Sequence, residues 1–310
     1  MEHGIVTAIV MATILSGTPL AIAALGELVV ERAGVLNLGA EGTMAMGAIA
    51  AFAVTLHTGS ATLGVLAGMA AGIAMSLIFA VLTLTLAANQ VASGLALTIF
   101  GLGLSAFVGK PYESHALPEI APLGIAWLSD LPFFGPVLFG QNALVYFSWL
   151  LLAATLWFLQ RSRGGLMLRA IGESPSSAHS IGHPVLRVRY LATLYGGAVT
   201  GIAGAYLSVF YTPLWVEGMV AGRGWIALAL VVFATWRPLR VLAGAYLFGG
   251  VMILQLFVQG SGAQISIPSQ FLSSLPYWAT IVVLVLISRN LNSIRLHSPA
   301  SLGQPFRPDA

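Results

Sequence analysis

Apolar runs of about bilayer-spanning length recur along the whole chain, and they dictate what its backbone can do. Inside hydrocarbon every N–H and C=O must be satisfied without water, so a spanning segment is either a helix or part of a closed barrel. Runs near 20 residues at ~1.5 Å per residue match the ~30 Å of hydrocarbon for helices. Nine such runs are readable, at 5–26, 38–57, 62–86, 91–109, 142–160, 188–210, 223–236, 239–259 and 270–288. The seventh is too short to cross unless its flanking loop dips into the membrane. Hydrophobic residues make up 58% of the chain, charged ones only 7%, and the mean hydropathy is +0.91. A water-soluble domain of that composition would expose far too much apolar surface. The expected fold class is therefore all-α, a polytopic integral membrane protein of about nine transmembrane helices. The opening MEHGIVTAIVMATIL lacks a basic stretch, so the first run reads as a span rather than a cleaved leader. The absence of cysteine excludes disulfides, thiolate metal sites and cysteine nucleophiles.

Arginine placement predicts the orientation. The net charge is +3, but the basic residues sit beside apolar runs, as membrane topology demands and nucleic-acid binding does not. The loop 161–189, the turn Trp236–Arg240 and the tail from Arg289 fall on one side, with two runs between each consecutive pair. Counting back gives an outside N-terminus and an inside C-terminus. Eleven arginines then lie in the cytoplasm, and Lys110 and Arg223 lie outside with Glu113, Glu119, Asp130 and Glu217. The loop 110–141, rich in Pro and aromatics, is expected on the outer interface, where Trp127 and Phe133–Phe134 suit the headgroup belt. The tail 289–310 carries Pro299, Pro305 and Pro308 and reads as polar and mobile.

The loop 161–189 holds five arginines and a helix with its punctuation written out. Ser174 is a good N-cap, Pro175 fits the first helical position and Gly182 suits the left-handed position after the last turn. A capped helix of about two turns, flanked by arginines between spans, is a docking device for something outside the bilayer. Elsewhere, small residues recur every four positions, at Gly64, Gly68 and Gly72, and at Gly197 and Gly201. That spacing is one helix face, and close packing within the chain is its simplest meaning.

No catalytic or energy-coupling motif is present: no G-x-x-x-x-G-K-[ST], no G-x-S-x-G, no H-E-x-x-H. His179 and His183 have the spacing of a helical zinc pair, but Gly182 ends the helix between them, and no metal site is expected. Glu27, Glu31, Arg32 and Glu41 flank a turn-like segment containing Gly34, Asn37 and Gly39. Acids in spans are costly unless paired or wet, so Glu27 and Glu41 read either as a polar lining or proton carrier, or as structural groups with Arg32 available to one. The structural reading carries more weight, because the segment looks like a fixed turn. Asn89 and Gln90 occupy a break between runs, followed by Ser93, Thr98 and Ser105 at small-polar positions. They read as a short turn, or as part of a path for a neutral polar solute. Arg223 and Glu217, six residues apart, read as an outer ion pair.

Five segments together resemble a known family: GELVVERAGVLNLGAEGTMAMGA at 26–48, LAANQVASGLALTIFGLGLSAFVG at 86–109, RAIGESPSSAHSIG at 169–182, AGRGWIALALVVFATWRPLRVLAGAYLFGG at 221–250, and LPYWATIVVLVL at 275–286. They are similar to the branched-chain amino acid, ribose and simple-sugar permeases of bacterial ABC importers, and most of all to the nucleoside or simple-sugar subgroup. The resemblance implies a transmembrane permease domain over 1–288 with a cytoplasmic coupling loop at 161–189, an external loop at 110–141, and a cytoplasmic tail at 289–310. It places Gly172, Glu173, Ser174, Pro175, Ala178, His179, Ile181 and Gly182 on the helix that docks on an ABC ATPase subunit. It further implies a second permease subunit, usually a different paralogue, an extracytoplasmic solute-binding protein and a small polar solute such as a nucleoside. ATP and Mg would be bound by the ATPase partners and no cofactor by this chain, which would lie in the bacterial inner membrane among lipid. A stand-alone proton-coupled transporter using Glu27 or Glu41 is the rival, and an intramembrane enzyme lacks any supporting constellation.

The topology is directly checkable, since a cysteine-free chain gives clean single-cysteine labelling. Ser162→Cys should resist a membrane-impermeant thiol reagent in intact cells and react after permeabilisation. Labelling in intact cells would invert the orientation.

Overall fold

The computed structural model describes residues 2–124, 134–260 and 298–307, with scattered positions between 271 and 285. Among the described residues every named element is helical: α1 (Glu2–Arg32), α2 (Ala40–Thr58), α3 (Ala61–Ala80), α4 (Gln90–Gly109), α5 (Ala143–Arg161), α6 (Arg163–Glu173), α7 (Pro175–Ser180), α8 (Val185–Ala205), α9 (Arg223–Phe233) and α10 (Pro238–Gly260). Widened π-type turns continue α3 to Thr85 and α8 to Tyr211. The starts follow local chemistry. Ser60, Asn89, Asn142 and Ser162 each accept a backbone N–H three residues on and so cap α3, α4, α5 and α6. Six helices, α1, α3, α4, α5, α8 and α10, are long and apolar enough to cross a membrane. The expected run 270–288 lies largely outside the described residues, as do Trp127 and Phe133.

Glycines set how closely the centre packs. A Cβ on Gly72 would strike the Gly197 carbonyl, one on Gly201 the Gly68 carbonyl, and one on Gly47 the backbone of Gly201. The stripes of α3 and α8 therefore face each other inside the chain, with α2 against both. Backbone-to-backbone contact of this kind gives helices in lipid the dispersion energy that burial from water cannot supply. Hydroxyls complete the seams: Ser208 donates to the Ala48 carbonyl at 2.7 Å and Thr98 to the Leu38 carbonyl at 2.8 Å.

Pro19 stands inside α1 and cannot donate to the carbonyl of Leu15. The buried Tyr206, where α8 widens, donates its hydroxyl to that oxygen at 3.0 Å. A neighbouring helix thus satisfies the group that the proline leaves open, as a chain in hydrocarbon must.

The short seventh run is explained by how it begins. Helix α9 has 11 residues, too few to cross. Its N-terminal amides at Gly222 and Gly224 each donate to the Glu41 carboxylate at 2.7 Å. Glu41 lies in the first turn of α2, and the adjacent Gly42 packs on Gly101, midway along α4. The non-helical segment before α9 accordingly enters the bundle to mid-height, and Met219 and Val220 line a small cleft with Ala45 and Ser105. Glu41 takes α9's backbone as its partner rather than Arg32, and a carboxylate suits the positive end of a helix.

Three further expectations are revised. The loop 161–189 contains two helices, not one. Helix α6 is amphipathic, with Leu168 and Ile171 buried and Arg163 exposed, so no apolar run marked it. Residues 298–307 are docked rather than mobile, and Ser301 is buried. Arg223 donates to the carbonyls of Met219 and Val220 and lies over the Tyr211 ring, while Glu217 is exposed.

Two substitutions test this packing through thermal unfolding of the detergent-purified chain. Gly201→Ala should cost ~1–3 kcal/mol by overpacking, while Gly103→Ala, which meets open space, should be neutral. Glu41→Ala should cost ~1–3 kcal/mol for each amide left without an acceptor, and Glu41→Gln less. Equal midpoints for Gly201→Ala and Gly103→Ala would refute the close-contact account.

Candidate functional site

The helix read from the sequence is α7, and its ends are built as its residues require. Ser174 has extended backbone and accepts from the Ser177 amide at 3.3 Å, with Pro175 in the first position. At the other end Gly182 has φ +89°, and two closing bonds run from Gly182 to the His179 carbonyl (2.9 Å) and from His183 to the Ala178 carbonyl (3.0 Å). One face is fixed, since Ala178 is buried with Ile171 and Val185. The other face is open: Ser176, Ser177, His179 and Ser180 are exposed, and Ile181 is 74% exposed. Ile181 is thus an apolar residue held outward at the end of a short capped helix, beside exposed hydroxyls and an imidazole. Glu173 is exposed beside it, whereas Gly172 is buried, and a Cβ there would strike the Arg32 carbonyl. The segment ahead of α7 thus rests directly on the end of α1.

A buried arginine, which the sequence reading did not single out, holds this region together. Arg189 on α8 is fully buried and donates to the carbonyls of Ala33 and Gln304 and to the Ser301 hydroxyl, each at 3.1 Å. Ser301 in turn donates to the Gly172 carbonyl through its hydroxyl (2.7 Å) and its amide (3.0 Å). Gly303 donates to the Gly34 carbonyl, and Phe306 packs edge-on to His179 at 5.7 Å. One guanidinium therefore ties the end of α1, α8 and the tail together, and through Ser301 reaches Gly172 near the end of α6. An arginine at the head of an apolar run was the available signal for Arg189, but nothing in the sequence pointed to Ser301.

The ionisable residues do not form one cluster. Glu27 is fully buried within α1 and meets the Thr200 hydroxyl at 3.4 Å. Glu31 accepts from the Trp236 indole at 2.6 Å, and Arg32 donates to the Trp236 carbonyl at 2.9 Å. Glu31 and Arg32 thus pin the turn between α9 and α10 to the end of α1. Asn37 accepts from the Gly39 amide and fixes the turn after α1.

The small-polar positions of α4 are mostly engaged. Asn89 caps the helix, Gln90 accepts from the Leu36 amide at 2.7 Å, and Ser105 donates to the Ala45 carbonyl at 3.2 Å. Gln90, Thr98 and Ser105 fasten α4 to α2 and its preceding turn. Ser93 is half-buried.

Residues 9–288 match the family model described as branched-chain amino acid transport system / permease component. A putative glucose ABC transporter permease protein of Haloferax volcanii is 42% identical over 95% of this chain and 96% of its own length. A guanosine ABC transporter permease protein of Bacillus subtilis is 32% identical over 90% of this chain and 92% of its own length. A nucleoside ABC transporter permease protein of Lactococcus lactis subsp. cremoris is 32% identical over 90% and 91%. With six spanning helices and this coverage, the chain belongs to the branched-chain amino acid transport system permease family and is a multi-pass inner-membrane permease subunit of an ABC transporter.

Proposed function

We propose that this chain is one permease subunit of an ATP-driven importer for nucleosides or related simple sugars. The observation that carries the mechanism is α7: capped at both ends, fixed on one face and open on the other, with Ile181 outermost. In this reading α7 is the surface on which an ABC ATPase subunit docks, in the cytoplasm, with an outside N-terminus and about nine crossings. ATP and Mg act on two ATPase partners, whose closure displaces α7. The displacement passes through Gly172 to the end of α1, and from Glu31 and Arg32 to the turn joining α9 and α10. Helices and interfaces with discrete packings convert such small shifts into alternating access.

The solute passes between this chain and a second permease, delivered by an extracytoplasmic binding protein. Along α4, Ser93 is offered to the path, while Thr98 and Ser105 hold the helix in place. No bond is made or broken, so the chain is not an enzyme. The solute class rests on the names of the relatives, two for nucleosides and one for glucose. Glu27 is read as structural, against Thr200, so no proton is assigned to the cycle.

Ser174→Pro removes a cap worth ~1 kcal/mol, and Ile181→Asp puts charge on the contact surface. Both variants should insert normally yet lose co-purification with the ATPase. Proteoliposomes holding this chain alone should not concentrate nucleoside under an imposed pH gradient. Adding the ATPase, the second permease and the binding protein should restore ATP-dependent uptake. Gradient-driven uptake by the chain alone would sink the importer reading in favour of a proton-coupled carrier.

A further inference from the structure

The tail lies against α7. Phe306 packs on the cluster of Ile171, Ala178 and Val185 that fixes the buried face of that helix, and its ring meets His179 edge-on. Backbone bonds hold the tail in place, from the Ser301 amide to the Gly172 carbonyl and from the Gly303 amide to the Gly34 carbonyl. Phe306 nevertheless keeps part of its surface exposed.

Between Phe306, the end of α7 and the start of α8 lies a groove of about 310 Å³. Phe306, Pro184 and Leu186 give it apolar walls, while His179, His183 and Arg187 supply a polar edge. Among the described residues no acidic one lines it. Gly182 forms part of the wall, and a Cβ there would meet open space. Its chain neighbour is the exposed Ile181, so a projecting apolar side chain stands next to an apolar recess. The surroundings are the hydroxyls of Ser176, Ser177 and Ser180 and the exposed Arg187, which belong in water and not in hydrocarbon. A protein segment crossing this surface would cover Ile181 and fill the recess at once, removing both from water.

We propose that this groove receives an apolar side chain of the ABC ATPase subunit, with a carboxylate beside it that meets Arg187. The tail and α7 then form one docking surface. Two features select that partner. The groove is continuous with the open face of α7, and its edge offers a guanidinium and imidazoles with no carboxylate among them, which suits an acidic segment. The partner's identity rests on α7 being the ATPase contact, as proposed above; the tail's share in that contact is the addition.

The test uses the complex formed by co-expressing the chain with its ATPase subunit. Because the chain has no cysteine, a benzophenone label can be placed at Arg187→Cys, in the groove, and separately at Ser176→Cys, on the open face of α7. Irradiation should crosslink both to the ATPase. Phe306→Ala should weaken ATPase binding by roughly tenfold, and Phe306→Leu, which keeps an apolar wall, by much less. Phe306→Ala also removes packing beneath α7, so Arg187→Glu is the second variant: Arg187 is exposed, and reversing its charge should weaken binding with the tail in place. A crosslink from Ser176→Cys but none from Arg187→Cys would overturn the tail's role and leave α7 as the docking helix. So would binding unmoved in both Phe306→Ala and Arg187→Glu. Absence of a crosslink from Ser176→Cys would overturn the docking reading of α7 itself.

Discussion

Contact between bare backbones is the condition on which this bundle rests. Where α8 meets α2 and α3, glycine faces glycine, and side-chain bulk at any one of several positions would separate the helices. Water cannot drive this association, because lipid is as apolar as leucine, so proximity itself must supply the attraction. The consequences extend outward. Only helices packed this closely bring the Ser208 hydroxyl to a carbonyl of α2, or let Tyr206 reach the oxygen beside Pro19. These two hydroxyls therefore finish a packing that glycine makes available, each donating across a helix interface.

Broken helices are the second theme, and carboxylates and amides carry it. The chain leaves α1 at Arg32, turns through Gly34 at φ +83°, and returns as α2 after Asn37 and Gly39 have fixed the bend. Opposite that bend, α9 starts in mid-bundle with its amides on Glu41. Non-helical backbone at such depth is tolerated where protein surrounds it and its groups are paired. Elements with ends inside the bundle can pivot in a way that continuous spans cannot.

Much of this was legible in the sequence, for reasons that differ from element to element. Spans announce themselves through length and hydropathy. Helix α7 was readable to the residue because Ser174, Pro175 and Gly182 each answer a local backbone demand that needs no tertiary context. The glycine stripes were readable as a helix face, and their intramolecular meaning was the simpler one. What stayed hidden depends on partners distant along the chain. Arg32 looked available to Glu27 or Glu41, yet Glu41 turns to Gly222 and Gly224 and Arg32 to Trp236. Helix α6 hid because its apolar face is a stripe rather than a run, and the tail hid because its prolines and polar residues resemble those of a free segment. The hydroxyls of Thr98 and Ser105 answer backbone carbonyls that only the packed structure puts in reach.

The docked tail also sets an order of events during biosynthesis. Ser301, Gln304 and Phe306 leave the ribosome after every spanning helix they brace, and Arg189 has two of its three partners among them. Until they arrive, the guanidinium has only the Ala33 carbonyl, and the Gly172 oxygen ahead of α7 lacks the serine that holds it. The surface that α7 presents is thus completed last. Without these residues the chain would keep its membrane helices, but two of the Arg189 bonds and the serine bond to the Gly172 oxygen would be missing beneath α7.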